Sequence, residues 1–88
     1  MRDAQGRRAI RLGDTTDHGG IVKTALQGLT VHGIAAAGEG NLVRCPKCKG
    51  DFRIVATVGG GRRHHGVLLA YEGDRTECGA MLIASVPG

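Results

Sequence analysis

Apolar residues in this chain come in short runs of period two, each bounded by glycine. Phe52, Ile54, Ala56 and Val58 share one side of an extended segment, and Leu29 and Val31 alternate with Thr30 and His32. Residues 21–26, 67–71 and 81–84 are further runs of this kind. Side chains on a strand alternate between faces, so these runs predict short strands folded back in hairpins at the glycines. Helix is not expected beyond a single turn. Apolar spacing of i, i+3, i+4 is missing, and glycine interrupts every long window.

The runs also repeat, and a fixed internal period is the mark of a repeat architecture. Slid by 33 positions, residues 21–45 match residues 54–78 at ten of twenty-five places with no gap. Ile21-Val22 meets Ile54-Val55, Thr24 meets Thr57, and Gly28 meets Gly61. His32-Gly33 meets His65-Gly66, Ala37 meets Ala70, Glu39-Gly40 meets Glu72-Gly73, and Cys45 meets Cys78. A partial third copy lies at the N-terminus, where Gly6 and Gly13 have the spacing of Gly33 and Gly40 and of Gly66 and Gly73. The second glycine of each pair is followed by Asp14, Asn41 or Asp74, and a few residues later by His18, Cys45 or Cys78. Glycine supplies a positive φ and Asp or Asn an Asx-turn, so each copy reads as a tight turn leading to a metal-competent side chain. Three such corners, related by pseudo-threefold symmetry, would bring His18, Cys45 and Cys78 to one point. Cys48, in Cys45-Pro46-Lys47-Cys48, is the natural fourth ligand, and tetrahedral zinc takes four.

Composition makes a staple necessary. A chain of 88 residues is one domain and buries only roughly 60–65% of its unfolded surface. Its aromatic residues are Phe52 and Tyr71, while 16 residues are glycine. Domains with such cores are held by a disulfide, a metal or a partner. Three cysteines, an odd number, do not fit a closed disulfide framework. A Cys-x-x-Cys redox site belongs in a βαβ context, which is missing here. The expected site is therefore one closed, structural Zn2+ per chain. No apolar run approaches the ~20 residues that span a bilayer, and residues 1–8 lack the apolar core of a Sec-type signal. The net charge of +4 suits nucleic acid or an acidic partner and demands neither.

Three segments together resemble the opening, middle and closing motifs of the PAAR-repeat proteins. They are Arg11-Leu12-Gly13-Asp14-Thr15-Thr16-Asp17-His18-Gly19-Gly20, Arg44-Cys45-Pro46-Lys47-Cys48-Lys49-Gly50, and Glu72-Gly73-Asp74-Arg75-Thr76-Glu77-Cys78-Gly79-Ala80-Met81-Leu82-Ile83. The resemblance implies an all-β cone of short strands and Gly-rich turns, with zinc near the apex. It implies a single tip domain over residues 1–88, with no fused effector domain. The flat base would cap the trimeric VgrG spike of a type VI secretion system, one tip per trimer. Such a tip would help puncture a target membrane and deliver effector cargo. It would be assembled in the cytoplasm and exported without a signal peptide, outside or into a target cell. Three departures stand out: the Pro-Ala-Ala-Arg tetrapeptide is not literally present, Asn41 stands where Asp is common, and Cys48 stands where many relatives carry His. The last keeps a ligand and enriches the site in thiolate. Leu29, Val31, Ile34 and Val67, which flank the matching turns, are candidates for the docking face or for the core.

Other readings are weaker. His64 and His65 precede a glycine turn, a strand's length from Cys78, and read as solvated turn residues rather than replacement ligands. Gly59-Gly60-Gly61-Arg62-Arg63 lacks the Gly-Lys-Ser/Thr and following helix of a phosphate loop and reads as a hairpin turn. Asp14, Glu39, Glu72 and Asp74 fall at turns and read as exposed caps rather than acid–base pairs, so no enzymatic activity is expected. The alternative function is a zinc-ribbon-like nucleic-acid module. It calls for a second Cys-x-x-Cys, which Cys78 alone does not supply, and single-strand binders add stacking aromatics. Nucleic acid is accordingly not the expected partner.

Overall fold

In the computed structural model, which describes residues 7–56 and 63–85, no described residue is helical. The strands are β1 (Thr15–Thr16), β2 (Ile21–Val22), β3 (Thr30–Val31), β4 (Ile34–Ala35), β5 (Leu42–Cys45), β6 (Gly50–Val55), β7 (Arg63–His64), β8 (Val67–Leu68), β9 (Arg75–Thr76) and β10 (Leu82–Ile83). Six of them form one antiparallel sheet in the order β10-β1-β2-β5-β6-β9. The Arg75↔Met81 bridge brings the ends of that sheet together into a nearly closed barrel. It consists of three hairpins, β1–β2, β5–β6 and β9–β10. Two small hairpins, β3–β4 and β7–β8, stand apart from it.

The pseudo-threefold repeat is real and can be traced bond by bond. Ile10 N–H donates to Ala70 C=O at 3.0 Å, Ala70 N–H to Ala37 C=O at 3.0 Å, and Ala37 N–H to Ile10 C=O at 2.9 Å. These three equivalent, fully buried residues close a ring of hydrogen bonds around the axis. Around it, Ala9↔Tyr71, Arg11↔Ala36 and Gly38↔Leu69 are cyclically related bridges. A buried backbone polar group must find a partner, and here each copy finds it in the next. The core follows the same symmetry. Val22, Ile54 and Leu82 form one inward layer, and Thr16, Val43 and Thr76 form the next, towards the tips of the hairpins. The chain is a pseudo-threefold β cone whose filling changes along the axis from aliphatic to polar.

The corners are Asx-turns. Asp14 Oδ2 accepts the Arg11 N–H at 2.8 Å, Asn41 Oδ1 the Gly38 N–H at 2.7 Å, and Asp74 Oδ2 the Tyr71 N–H at 3.0 Å. Asp14 and Asp74 are not exposed caps, as the sequence suggested, but almost wholly buried. Asp74 also pairs with Arg7 at 2.9 Å, and Asp14 accepts the Ser85 hydroxyl. Glu72 is held by Arg8 through its guanidinium at 3.2 and 3.1 Å.

The repeat overlay is corrected in one place. It matches Ile21-Val22 to Ile54-Val55, but Val22 and Ile54 are the equivalent residues, each donating its N–H to the corner residue Asp14 or Asn41. Val22 is buried and Val55 is half exposed. A one-residue slip turns a strand side chain to the opposite face. The slip arises because the stretch from the inward strand position to the ring residue is one residue longer in the second copy, 16 residues from Ile54 to Ala70 against 15 from Val22 to Ala37. The middle hairpin is itself longer than the other two, with 13 rather than 8 residues from corner to inward strand position. Other strand boundaries are shorter than the apolar runs: 21–26 keeps only β2, 67–71 only β8, and 81–84 only β10. Strand β5 was not among the expected ones. Thr57, Val58 and residues 59–62 lie outside the described residues.

His32-Gly33 and His65-Gly66 form the two-residue loops of β3–β4 and β7–β8, with φ of 51° and 81° in the first and 50° and 80° in the second. Positive φ at both positions is the turn that matches strand twist. Gly20 is needed for a different reason. A Cβ there would stand 2.5 Å from Arg44 C=O and 2.9 Å from Thr16 Oγ1. Gly20→Ala is expected to cost about 2–3 kcal/mol through overpacking. Gly33→Ala, which meets no atom within 4 Å, should cost only about 1–2 kcal/mol through its left-handed φ. Urea unfolding of the two variants checks the order.

Candidate metal centre

Three hairpin tips carry the chemistry. The β1–β2 tip presents His18, the β5–β6 tip Cys45 and Cys48, and the β9–β10 tip Cys78. The ligand-capable atoms of all four residues lie within 4.8 Å of one another, and they form the one such His/Cys/Asp/Glu group among the described residues. The longer middle hairpin gives the physical reason that two of the four come from one loop. Its extra residues let the chain turn through Pro46 and Lys47 and return Cys48 to the axis.

Burial differs among the four. Cys45 is fully buried, His18 and Cys78 are partly buried, and Cys48 is exposed. His18 Nδ1 lies 3.6 Å from Cys45 Sγ, while Nε2 points towards Asp17 Oδ1 at 3.9 Å. That carboxylate oxygen is itself fixed by the Met81 N–H at 2.8 Å. The imidazole therefore turns one nitrogen to the thiols and the other to a carboxylate, as metal-binding histidines do.

The thiols compete for protons. Burial pushes the Cys78 thiol up, but hydrogen bonds from the Thr76 hydroxyl, the Ala80 N–H, Cys48 and Cys45 outweigh it and bring it down to about 6. Cys48 is pushed up to about 11, first by its hydrogen bond to Cys78, then by desolvation and by Cys45.

The donor set fits zinc. Three sulfurs and one imidazole match a structural tetrahedral set, whose bonds of about 2.0–2.3 Å place ligand atoms about 3.3–3.8 Å apart. The observed spread needs a contraction of only about 1 Å to reach that geometry. Four protein donors would fill the coordination of a tetrahedral ion and leave no open position. His64 and His65 stand elsewhere. His64 Nε2 meets the Gln27 carbonyl at 3.0 Å, and His65 occupies a hairpin turn. Sequence reasoning missed the groups that brace the loops. Thr16 Oγ1 accepts the N–H groups of His18 and Gly20, and Thr76 Oγ1 that of Ala80. The repeated threonine, two residues before His18 and before Cys78, was the available signal.

A family model described as PAAR motif matches residues 12–84, nearly the whole chain. No curated protein matches it.

Proposed function

The chain belongs to the PAAR-motif family, a family of type VI spike tips, and from that premise we propose that it is the structural tip of such a spike. In this reading residues 1–88 form one tip domain whose end opposite the metal cluster caps a trimeric spike protein of the VgrG type. Zn2+ is held by His18, Cys45, Cys48 and Cys78, and supplies the cross-link that a narrowing apex has no room to build from side chains. The assembled tip leaves the cytoplasm with the spike, carries effector cargo and meets the target membrane first.

The observation that carries this reading is the ring of hydrogen bonds through Ile10, Ala37 and Ala70. A single chain with an internal threefold axis can sit on a threefold end and offer each of the three subunits a similar surface. Of the candidate docking residues, Val31 belongs to the core and Leu29 packs against it, while Ile34 is exposed and Val67 half-buried. The role is mechanical rather than catalytic.

Native mass spectrometry of the chain mixed with its spike trimer is expected to give one tip per three spike chains. A 3:3 complex, or no complex, would overturn the capping role. A nucleic-acid shift assay on the same preparation tests the zinc-ribbon alternative, which predicts strongly salt-dependent retention.

A further inference from the structure

Beside the four clustered side chains stands a group that is neither thiol nor imidazole. Thr76 is buried, two residues before Cys78, and its Oγ1 lies 3.1 Å from Cys78 Sγ. The same oxygen accepts the Ala80 N–H at 3.2 Å. With that acceptor role filled by the backbone, the hydroxyl proton is available to the sulfur. A metal-bound thiolate has no proton to return, so the hydroxyl is the donor in the pair. Hydrogen bonds of this kind orient a ligand and tune its metal.

The repeat provides an internal comparison. Thr16 holds the same place in the first copy and is equally buried, at 4% against 4%. Its Oγ1 accepts from His18 N–H at 3.2 Å and Gly20 N–H at 3.0 Å, but its hydrogen bonds reach no sulfur. The third mate, Val43, has no hydroxyl at all. Bracing the loop backbone and touching a ligand atom are therefore separable roles, and Thr76 combines them.

We propose that Thr76 is a positioning residue of the metal centre, its hydroxyl donating to the Cys78 thiolate and fixing the direction from which that sulfur meets the ion. The proposal rests on the metal reading above, and the test separates the two.

The full chain is titrated with Co2+, following the thiolate-to-cobalt absorption band, and zinc affinity is measured by competition. If the wild-type chain gives no such band, the metal reading falls and this one with it. If it does, Thr76→Val is expected to weaken both metals by roughly 10–100-fold and to shift the band. Thr76→Ser should restore both. Gly33→Ala, destabilising but in the β3–β4 turn apart from the four clustered side chains, should lower the melting temperature but leave the band where it was. The proposal is overturned if Thr76→Val keeps wild-type affinity and band, if Thr76→Ser fails to rescue, or if Gly33→Ala moves the band as far. Should Thr76→Val not fold, zinc-loaded Thr76→Ser and Thr76→Ala, which differ by the hydroxyl alone, are compared. Equal affinity and equal spectra in that pair would also overturn it.

Discussion

Stripping the metal from the purified chain is expected to lower its melting temperature by roughly 16–32 °C. The ligands come from all three copies of the repeat, so one ion joins the tips of three hairpins. Above the layer of Val22, Ile54 and Leu82 there is little apolar area to replace it, because the next layer is Thr16, Val43 and Thr76. The thiols gain from the ion as well. Cys48 held up to about 11 and Cys78 down to about 6 describe sulfurs that share protons in its absence. Free zinc at 1,000 times its Kd stabilises a domain by about 4 kcal/mol. For a domain of this size each kcal/mol moves Tm by about 4–8 °C, which gives roughly 16–32 °C. Thermal melts with and without chelator, followed by re-addition of one equivalent of zinc, check the result, and an unchanged melt refutes it. The cysteines should rank by burial. Cys45→Ser should cost more of this stability than Cys48→Ser, since Cys45 is enclosed and Cys48 faces water.

The second large effect is expected at a corner rather than a hairpin tip, at Asp74. This carboxylate is buried, accepts the Tyr71 N–H and faces the Arg7 guanidinium at 2.9 Å. Removing one partner of a buried pair costs about 3–5 kcal/mol, because the other charge stays behind. Asp74→Ala should approach that figure, a large share of the ~4–13 kcal/mol that a domain of this length commands. Asp74→Asn keeps the corner bond but turns its NH2 towards Arg7 and leaves that charge without its carboxylate, so it should recover only about 1 kcal/mol of the loss. The chain itself contains the precedent, since Asn41 turns the equivalent corner with its side-chain oxygen on the Gly38 N–H. The ordering is read from guanidinium unfolding of the two variants with metal present. If the two substitutions cost the same, the corner bond is immaterial and the charge left behind on Arg7 carries the whole effect.

Much of this architecture was legible because it is written three times. The spacing from Gly to Asp or Asn to His or Cys located the corners and three of the four clustered side chains without any knowledge of distance, and the Cys45-Pro46-Lys47-Cys48 pair supplied the fourth. Legibility failed where a copy departs from its mates. The longer middle hairpin hid β5, and one extra residue between Ile54 and Ala70 misaligned Val22 with Val55, because an ungapped overlay does not detect an insertion. It failed also for Asp14 and Asp74. Carboxylates at turns usually face water, and only the fold reveals that Ser85 and Arg7 come from the far ends of the chain to cover them. The threonines that brace the ligand loops were visible as residues but not as contacts, since Thr16 and Thr76 look like ordinary strand positions.

The ring through Ile10, Ala37 and Ala70 constrains how the molecule comes into being. Its three bonds join residues separated by 27, 33 and 60 positions. Contacts so distant along the chain give a high contact order, and β-rich domains of that kind fold in milliseconds to seconds rather than microseconds. A nascent chain holding two copies has one donor and one acceptor of the ring still open, with nothing to close them until the last copy emerges. The domain thus acquires its axis in a single late step, and a polypeptide cut after the second copy has no smaller version of the cone to fall back on.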